Sequence, residues 1–457
     1  MIRLSIDDLL KATEGKSAAR GENTVVSGIS TDSRQISAGD LFIPLIGENF
    51  DGHDYIQSAF DNGAAASLTQ KDYLHFPGKT TILVDDTLKA LQSLAKWYRS
   101  KFDIPFVGIT GSVGKTSTKE MVACAIGQRY NVLKNEGNFN NEIGLPLTMF
   151  KLDRSQEVAV LEMGMSAVGE IRTLASIVRP KVGIITNIGL SHIEKLGSRQ
   201  NILKAKLEIL EGLYADGLLI LNGDDVMLSG VKDLLSCRTV SYGLEEGVDY
   251  QAYNVQSRGE LGIDFNITVG GQEYAINLPV PGVHNVYNAL AAVAAGIELG
   301  VPMQDLQSGI SHFRPENMRL NIVKTHDMTI INDAYNASPH SMKAALDVLS
   351  ELQATRRIAV LGNMLELGEW SQRAHMDTGV YAARKKPDIL VTVGNEAEYI
   401  VKGAVEAGYS PDQTNVLQNN QQAIEYLRKV LKPGDAVLVK GSRSMRMEQI
   451  VQALTEE

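Results

Sequence analysis

Lys115 and Thr116 close the stretch Thr110-Gly-Ser-Val-Gly-Lys-Thr116, whose residue types suit the binding of phosphate. Gly111 and Gly114 let the backbone bend and present its N–H groups, with Ser112 and Val113 between them. Lys115 adds a cation, and Thr116 adds a hydroxyl suited to a metal ion. The full P-loop pattern also has a glycine five residues before Gly114. Ile109 stands there, so this is a shortened form, Gly-x-x-Gly-Lys-Thr. The expected ligand is a nucleoside triphosphate. Two more groups suit the same chemistry. A hard divalent cation takes oxygen ligands, which Glu162, Thr116 and a phosphate could supply. His192 could bind a second cation or contact a phosphate.

The elements around these residues explain why they should meet. Phe106, Val107 and Ile109 form a buried strand before the loop, and Met121, Val122, Ala125 and Ile126 recur at helical spacing after it. Residues 158–161 read as a strand ending at Glu162. Residues 182–186 form another, followed by Asn187 and His192, and 218–221 a third. Buried parallel strands carry ligands at their carboxyl ends, so the loop, Glu162 and His192 should share one crevice. Between 249 and 281 the period changes to two. Ile263, Phe265, Ile267 and Val269, then Gly270-Gly271, then Tyr274, Ile276 and Leu278 predict an antiparallel hairpin on the main sheet. Asn285 and Asn288 then share one face of an alanine-rich helix.

Flanking units follow the same α/β rhythm. Before residue 100, strands are expected at 40–45, 63–69 and 80–84. A helix follows, capped by Asp85 and Asp86, with Leu88, Leu91, Leu94, Ala95 and Tyr98 on one face. Thr31-Asp-Ser-Arg34 and Asp51-Gly-His53 put polar groups into loops there. Pro315 marks a break, after which strands are expected at 328–331, 357–361, 389–393 and 436–440. Ser338-Pro339 opens a helix in this unit, and polar loops follow at 333–336 and 440–444. The fold class is therefore α/β with three domains, 1–100, 101–315 and 316–457. The central one is a P-loop, doubly wound, mostly parallel sheet with an antiparallel hairpin, and the last is Rossmann-like.

A net charge of −10 leaves no basic excess for a nucleic-acid surface. The N-terminus has no apolar signal core, and the longest apolar run, 289–297, is too short to span a bilayer, so no membrane insertion is expected. Two distant cysteines, Cys124 and Cys237, fit reduced, buried thiols in a cytoplasmic protein. A P-loop unit flanked on both sides suggests a cleft closed by domain motion around ATP and two further substrates. Residue patterns alone leave kinase and ligase chemistry both open.

The chain resembles the Mur ligase family of peptidoglycan synthesis along nearly its whole length. The central signatures are Thr110–Thr116, Glu162, the Asn187-Ile-Gly-Leu-Ser-His192 segment, Ala205-Lys206 and His284-Asn-Val-Tyr-Asn288. Four stretches are similar to the branch that adds a dipeptide: residues 138–146, 332–339, 362–368 and 440–446. The Asp-Asn-Pro-Arg motif of the branch that adds diaminopimelate or lysine is absent. Val113 stands where Asn is usual and Ser117 where Thr is common; backbone N–H groups do most of the phosphate binding there.

The resemblance implies that ATP phosphorylates the terminal carboxylate of UDP-N-acetylmuramoyl-tripeptide and that the amine of D-alanyl-D-alanine attacks the acyl phosphate. It implies two Mg²⁺ ions, held by Thr116, Glu162, His192 and a carbamylated Lys206, with Lys204 on a different helix face. It places Asn285 and Asn288 near the base, Arg319 at the γ-phosphate and Asp333 at the ribose. Ser33 and Arg34 would belong to a UDP-sugar site in the N-terminal domain, near Asp51-Gly-His53. Asn138, Asn140, Asn141 and Glu142 would line the central cleft. Asn336, Lys440, Ser442 and Arg443 would face D-alanyl-D-alanine. A monomer is expected.

Overall fold

The computed structural model describes residues 1–19, 24–72 and 76–456. Glu457, the last residue of the third expected unit, lies outside them. Among the described residues three larger sheets carry the chain, beside a two-stranded antiparallel pairing of Leu4–Ser5 with Val25–Val26. The first has five strands in the order Lys16–Ala19, Thr80–Leu83, Ala66–Thr69, Asp40–Phe42, Gly28–Ser30, parallel except at the Lys16–Ala19 edge. The expected strand over 40–45 stops at Phe42, just before Pro44, which has no N–H to give a ladder. The helix that follows this sheet spans Thr87–Arg99, and its cap is Asp86 alone, which accepts from the Lys89 N–H at 3.0 Å.

The central sheet has nine strands, and its order explains the site. Phe106–Thr110 lies between Val158–Glu162 and Val182–Ile185, parallel to both. Ile109 is in register with Glu162, and Thr110 with Ile185, so three polar strand ends emerge side by side. These strands are apolar at almost every position because both faces are covered. Val107, Ile109, Val160 and Ile184 pack under the helices Lys115–Ile126 and His284–Glu298. Phe106, Leu161 and Ile185 face Thr87–Arg99 and Glu170–Val178, in a core continuous with the first sheet. The hairpin of Ile263–Val269 and Gln272–Leu278 is antiparallel and extends this sheet through Tyr250–Ser257. Its turn residues Gly270 and Gly271 have φ of +59° and +80°, which glycine adopts without a Cβ penalty.

The third sheet has six strands, with Asn321–Lys324 an antiparallel edge beside Thr329–Asp333 and Asp435–Lys440 next in line. Ser338 caps Pro339–Glu351 through the Ser341 N–H, as its sequence predicts. Cys124 and Cys237 are free thiols, and both are half-buried rather than buried. No helix among the described residues is long and apolar enough to cross a membrane.

Candidate active site

The strand ends open into one cleft of about 680 Å³ between the central and third sheets. Ser112, Val113, Gly114, Lys115 and Thr116 line its floor, with Glu162 and His192 beside them. Gly111 lies just beneath, with φ +149°; a Cβ there would come within 1.9 Å of the Thr186 hydroxyl. Thr110 is fully buried under the loop and does not reach the cleft. Thr186 and Asn187, just past the neighbouring strand Val182–Ile185, brace the loop. The Ser112 N–H donates to the Asn187 carbonyl at 3.0 Å, and the Val113 N–H to Asn187 Oδ1 at 3.0 Å. The Val113 carbonyl accepts from Asn187 Nδ2 at 2.9 Å and from the Thr186 hydroxyl at 2.6 Å. Two N–H groups of the loop are therefore engaged internally. Phosphate is left to the N–H groups of Gly114, Lys115 and Thr116, where the helix Lys115–Ile126 begins and its first amides have no intrahelical partner.

Lys115 donates to the Gly111 carbonyl at 3.0 Å, and burial holds its ammonium below the ordinary lysine range, with Glu162 pulling the other way. The Glu162 carboxylate is buried and both its oxygens are engaged: Thr116 Oγ1 donates at 2.7 Å and Asn140 Nδ2 at 2.7 Å. Asn135 clamps its backbone, accepting from the Glu162 N–H at 2.9 Å and donating to its carbonyl at 3.0 Å. Lys206, on Arg199–Leu207, is 1% exposed, whereas Lys204 on the same helix is exposed. Burial, then the charge of Lys115, push the Lys206 amine well below its ordinary value, and no carboxylate among the described residues pairs with it. Its burial could not be read from spacing alone. His192 has φ +61° and pairs through Nδ1 with Glu366 of the third unit at 2.7 Å, which holds the Glu366 carboxyl below its usual range.

The other expected residues divide. Asn285 and Asn288 line the cleft in a buried chain: Thr118 donates to Asn288 at 2.8 Å, Asn288 to Asn285 at 3.0 Å, and Asn285 to the Pro281 carbonyl at 2.8 Å. Asn138 and Asn141 also line it, and Asn141 caps the start of Gly144–Met149. Arg319 stacks on Tyr335 at 4.0 Å. Asp333, Asn336 and Lys440 line the far wall, where Lys440 donates to Asp333 at 2.6 Å and to the Asn336 carbonyl at 2.8 Å. The second Asp333 oxygen accepts from the Leu320 N–H at 3.0 Å.

Ser33, Arg34, Glu142, Lys206, Ser442 and Arg443 do not line this cleft. Ser442 is buried and orders the loop 363–365, accepting from the Leu365 N–H at 2.9 Å. Arg443 turns away to Glu448 at 2.8 Å. Glu142 is half-buried, its carboxyl raised by burial and by Glu170. Arg34 is exposed and forks onto Asp32 at 2.9 Å, in the first sheet's loops with Ser33. His53 is committed to the fold: it contacts Asp51 at 2.6 Å and accepts from the Gln70 N–H at 3.1 Å.

Sequence reasoning missed Tyr335, Glu366 and Asp224. Asp224 accepts from Tyr287 at 2.8 Å, two residues beyond the strand Leu218–Asn222, so the strand-end rule could have found it. Tyr335 and Glu366 fall within recognised stretches, but no spacing signals a ring stack or a contact between domains. His284 was also missed as a titrating group. Burial pulls its imidazole from 6.5 to about 4, so it is neutral at neutral pH. An unfolded chain binds a proton there near 6.5 and the folded one only near 4, so stability falls as pH drops through that window and levels off below it. The ring keeps some exposure at the cleft wall, so the loss is expected to be roughly 2 kcal/mol. Urea titrations at neutral pH and near the lower limit should show a smaller difference for His284→Gln; an equal difference assigns the acid sensitivity elsewhere.

Three family profiles match the chain: Mur ligase family, catalytic domain, over 25–99; Mur ligase middle domain over 109–296; and Mur ligase, glutamate ligase domain, over 318–443. It is 42% identical, over 100% of its length and 99% of the relative's, to UDP-N-acetylmuramoyl-tripeptide–D-alanyl-D-alanine ligase of Bacillus subtilis. A crystal structure of MurF from Acinetobacter baumannii superposes with TM-score 0.93 at 30% identity, covering 100% of both chains. MurF ligase from Thermotoga maritima in complex with ADP superposes with TM-score 0.84 at 27% identity, covering 94% of this chain and 98% of that one.

Proposed function

The chain belongs to the Mur ligase family, and from that premise we propose that its cleft joins D-alanyl-D-alanine to UDP-N-acetylmuramoyl-tripeptide. ATP is consumed, ADP and phosphate are released, and the product is UDP-N-acetylmuramoyl-pentapeptide for peptidoglycan synthesis. The carrying observation is the convergence of the shortened P-loop, Glu162 and His192 at adjacent strand ends, facing Arg319 and Lys440 of the third unit across one cleft.

A carboxylate is a poor electrophile, so the tripeptide carboxylate first attacks the γ-phosphorus and ADP leaves. The dipeptide's neutral amine then attacks the acyl carbon, gives up a proton and expels phosphate as the peptide bond forms. Phosphoryl transfer depends on positioning and charge neutralisation. Lys115 and the helix-start N–H groups take the β- and γ-phosphates, and Arg319 meets the γ-phosphate from the junction. Asn285 and Asn288 hold the base end, and Asp333 the ribose. Asn138, Asn140 and Asn141 position the tripeptide end. Ser33 and Arg34 serve the UDP-sugar, and Asn336, Lys440, Ser442 and Arg443 shape the dipeptide side.

The donors present fit Mg²⁺. This ion accepts few protein ligands and keeps water and phosphate oxygens. The buried Thr116–Glu162 pair offers that kind of partial shell, and no cluster of three or more His, Cys, Asp or Glu is built among the described residues. Thr116 and Glu162 would hold one ion and His192 would help hold a second; when bound, they neutralise phosphate charge. Lys206, as a carbamate, would supply the other anion for that second site. Its neutral amine bonds the carbon of CO₂ and releases a proton, and burial beside Lys115 favours the neutral amine. The protein acts as a cytoplasmic monomer, with domains 1–100, 101–315 and 316–457.

Incubation with the tripeptide precursor, D-alanyl-D-alanine and ATP should release phosphate in step with pentapeptide. Phosphate release with free amino acids but not with the dipeptide overturns this reading. Phosphate retained on a product would instead mark a kinase.

A further inference from the structure

Resting on that reading, we infer that Lys119 and Glu316 are positioning residues that tie the P-loop helix to the connection between the central and third units, and so set Arg319 against the γ-phosphate. Lys119 lies one turn beyond Thr116 on Lys115–Ile126 and is fully buried. An ammonium has three donors and no acceptor, so its partners can be counted. Lys119 Nζ donates to the Asn135 carbonyl at 2.6 Å and meets Glu120 at 3.0 Å and Glu316 at 3.4 Å. Glu120 also pairs with Lys134.

Two of these three partners, Asn135 and Glu316, lead to the site. Asn135 is the residue whose side chain clamps the Glu162 backbone on both sides. Glu316 sits three residues before Arg319, and its second oxygen is 3.9 Å from Arg319 Nε. That Nε is buried and makes no hydrogen bond, and Arg319 has no other ionic neighbour among the described residues. The guanidinium is therefore placed by the Tyr335 ring and by Glu316, and Glu316 is placed by Lys119. A solvated ion pair would have little leverage, but here the cation has no water to fall back on. Glu120 at 3.0 Å and the Asn135 carbonyl at 2.6 Å keep the buried ammonium paired whatever Glu316 does, so the Glu316 contact acts on the connection and not on the stability of the helix. The connection is thus held in register with the helix that binds phosphate.

The test compares binding of β,γ-methylene ATP with binding of ADP, by calorimetry on the full chain. Glu316→Gln keeps the size and one acceptor oxygen but removes the charge. It is expected to weaken the ATP analogue about tenfold relative to ADP, with the melting temperature little changed. Glu316→Asp should recover part of the ratio, and in a double-mutant cycle the loss should not add to that of Arg319→Ala. An unchanged ratio in Glu316→Gln, beside a lowered one in Arg319→Ala, overturns the inference alone. Equal loss of both nucleotides, or full additivity, also overturns it. An unchanged ratio in Arg319→Ala overturns the placement of Arg319 on which the inference rests.

Discussion

Replacing Lys115 by alanine is expected to lower ligation turnover by about 10²- to 10³-fold without unfolding the protein. The reasoning starts from how the cation is kept. Lys115 has one hydrogen bond, to the Gly111 carbonyl, and no carboxylate among the described residues lies within ion-pair distance of it. Burial already strains the charge, so it is least satisfied before a triphosphate arrives. As charge shifts toward the leaving β-phosphate oxygens, this ammonium gains more in the transition state than in the ground state, which is the condition for catalysis. Removing it should leave the melting temperature equal or slightly raised. Single-turnover measurement of acyl-phosphate formation, alongside thermal unfolding, checks both halves. Activity within tenfold of the parent, or loss accompanied by unfolding, refutes this role.

Lys206→Met is expected to separate activity from stability in opposite directions. Ligation should fall about 100-fold, as when a group supporting a metal shell is lost, while resistance to urea rises. The second effect follows from linkage. The Lys206 amine is far below 10.5 when folded. The unfolded chain binds a proton that the folded chain refuses, and stability rises with pH up to about 10.5 as that difference disappears. Methionine fills a similar volume and carries no such penalty, so its curve should be flatter in CO₂-free buffer. Withdrawing CO₂ should also slow the parent and leave the variant unaffected, and ¹³C-labelled bicarbonate should give a carbamate resonance only in the parent. An active Lys206→Met protein refutes the role.

How much of this was legible depended on the range of the interactions involved. The central strands were plain because burial on both faces leaves continuous apolar runs such as 158–161. The hairpin was plain because one face of it is wet and its turn is Gly270-Gly271. Edge strands such as Lys16–Ala19 and Thr414–Leu417 were not seen, being four residues long with no continuous apolar run. Thr116 was legible through the Gly-x-x-Gly-Lys-Thr motif, and Glu162 through the strand-end rule. The burial of Lys206, the Lys119 network and the His192–Glu366 contact were not, since each depends on residues far apart in the chain. Ser442 and Arg443 add a contact that a recognised stretch does not signal: Ser442 orders the loop 363–365 and Arg443 pairs with Glu448.

The side chain of Asn187, bonded on both sides of Val113, has a consequence for affinity. A glycine-rich loop that hung free would lose its conformational freedom on meeting a ligand, and each residue ordered at that moment would weaken binding by about 1–2 kcal/mol. Here the segment just past the neighbouring strand orders the loop during folding, so the nucleotide meets a preorganised surface and its contacts count almost in full toward affinity. It also explains why valine is tolerated at position 113. The amide that stiffens the loop comes from just past the next strand, and the loop's own side chain at that position is free to be apolar.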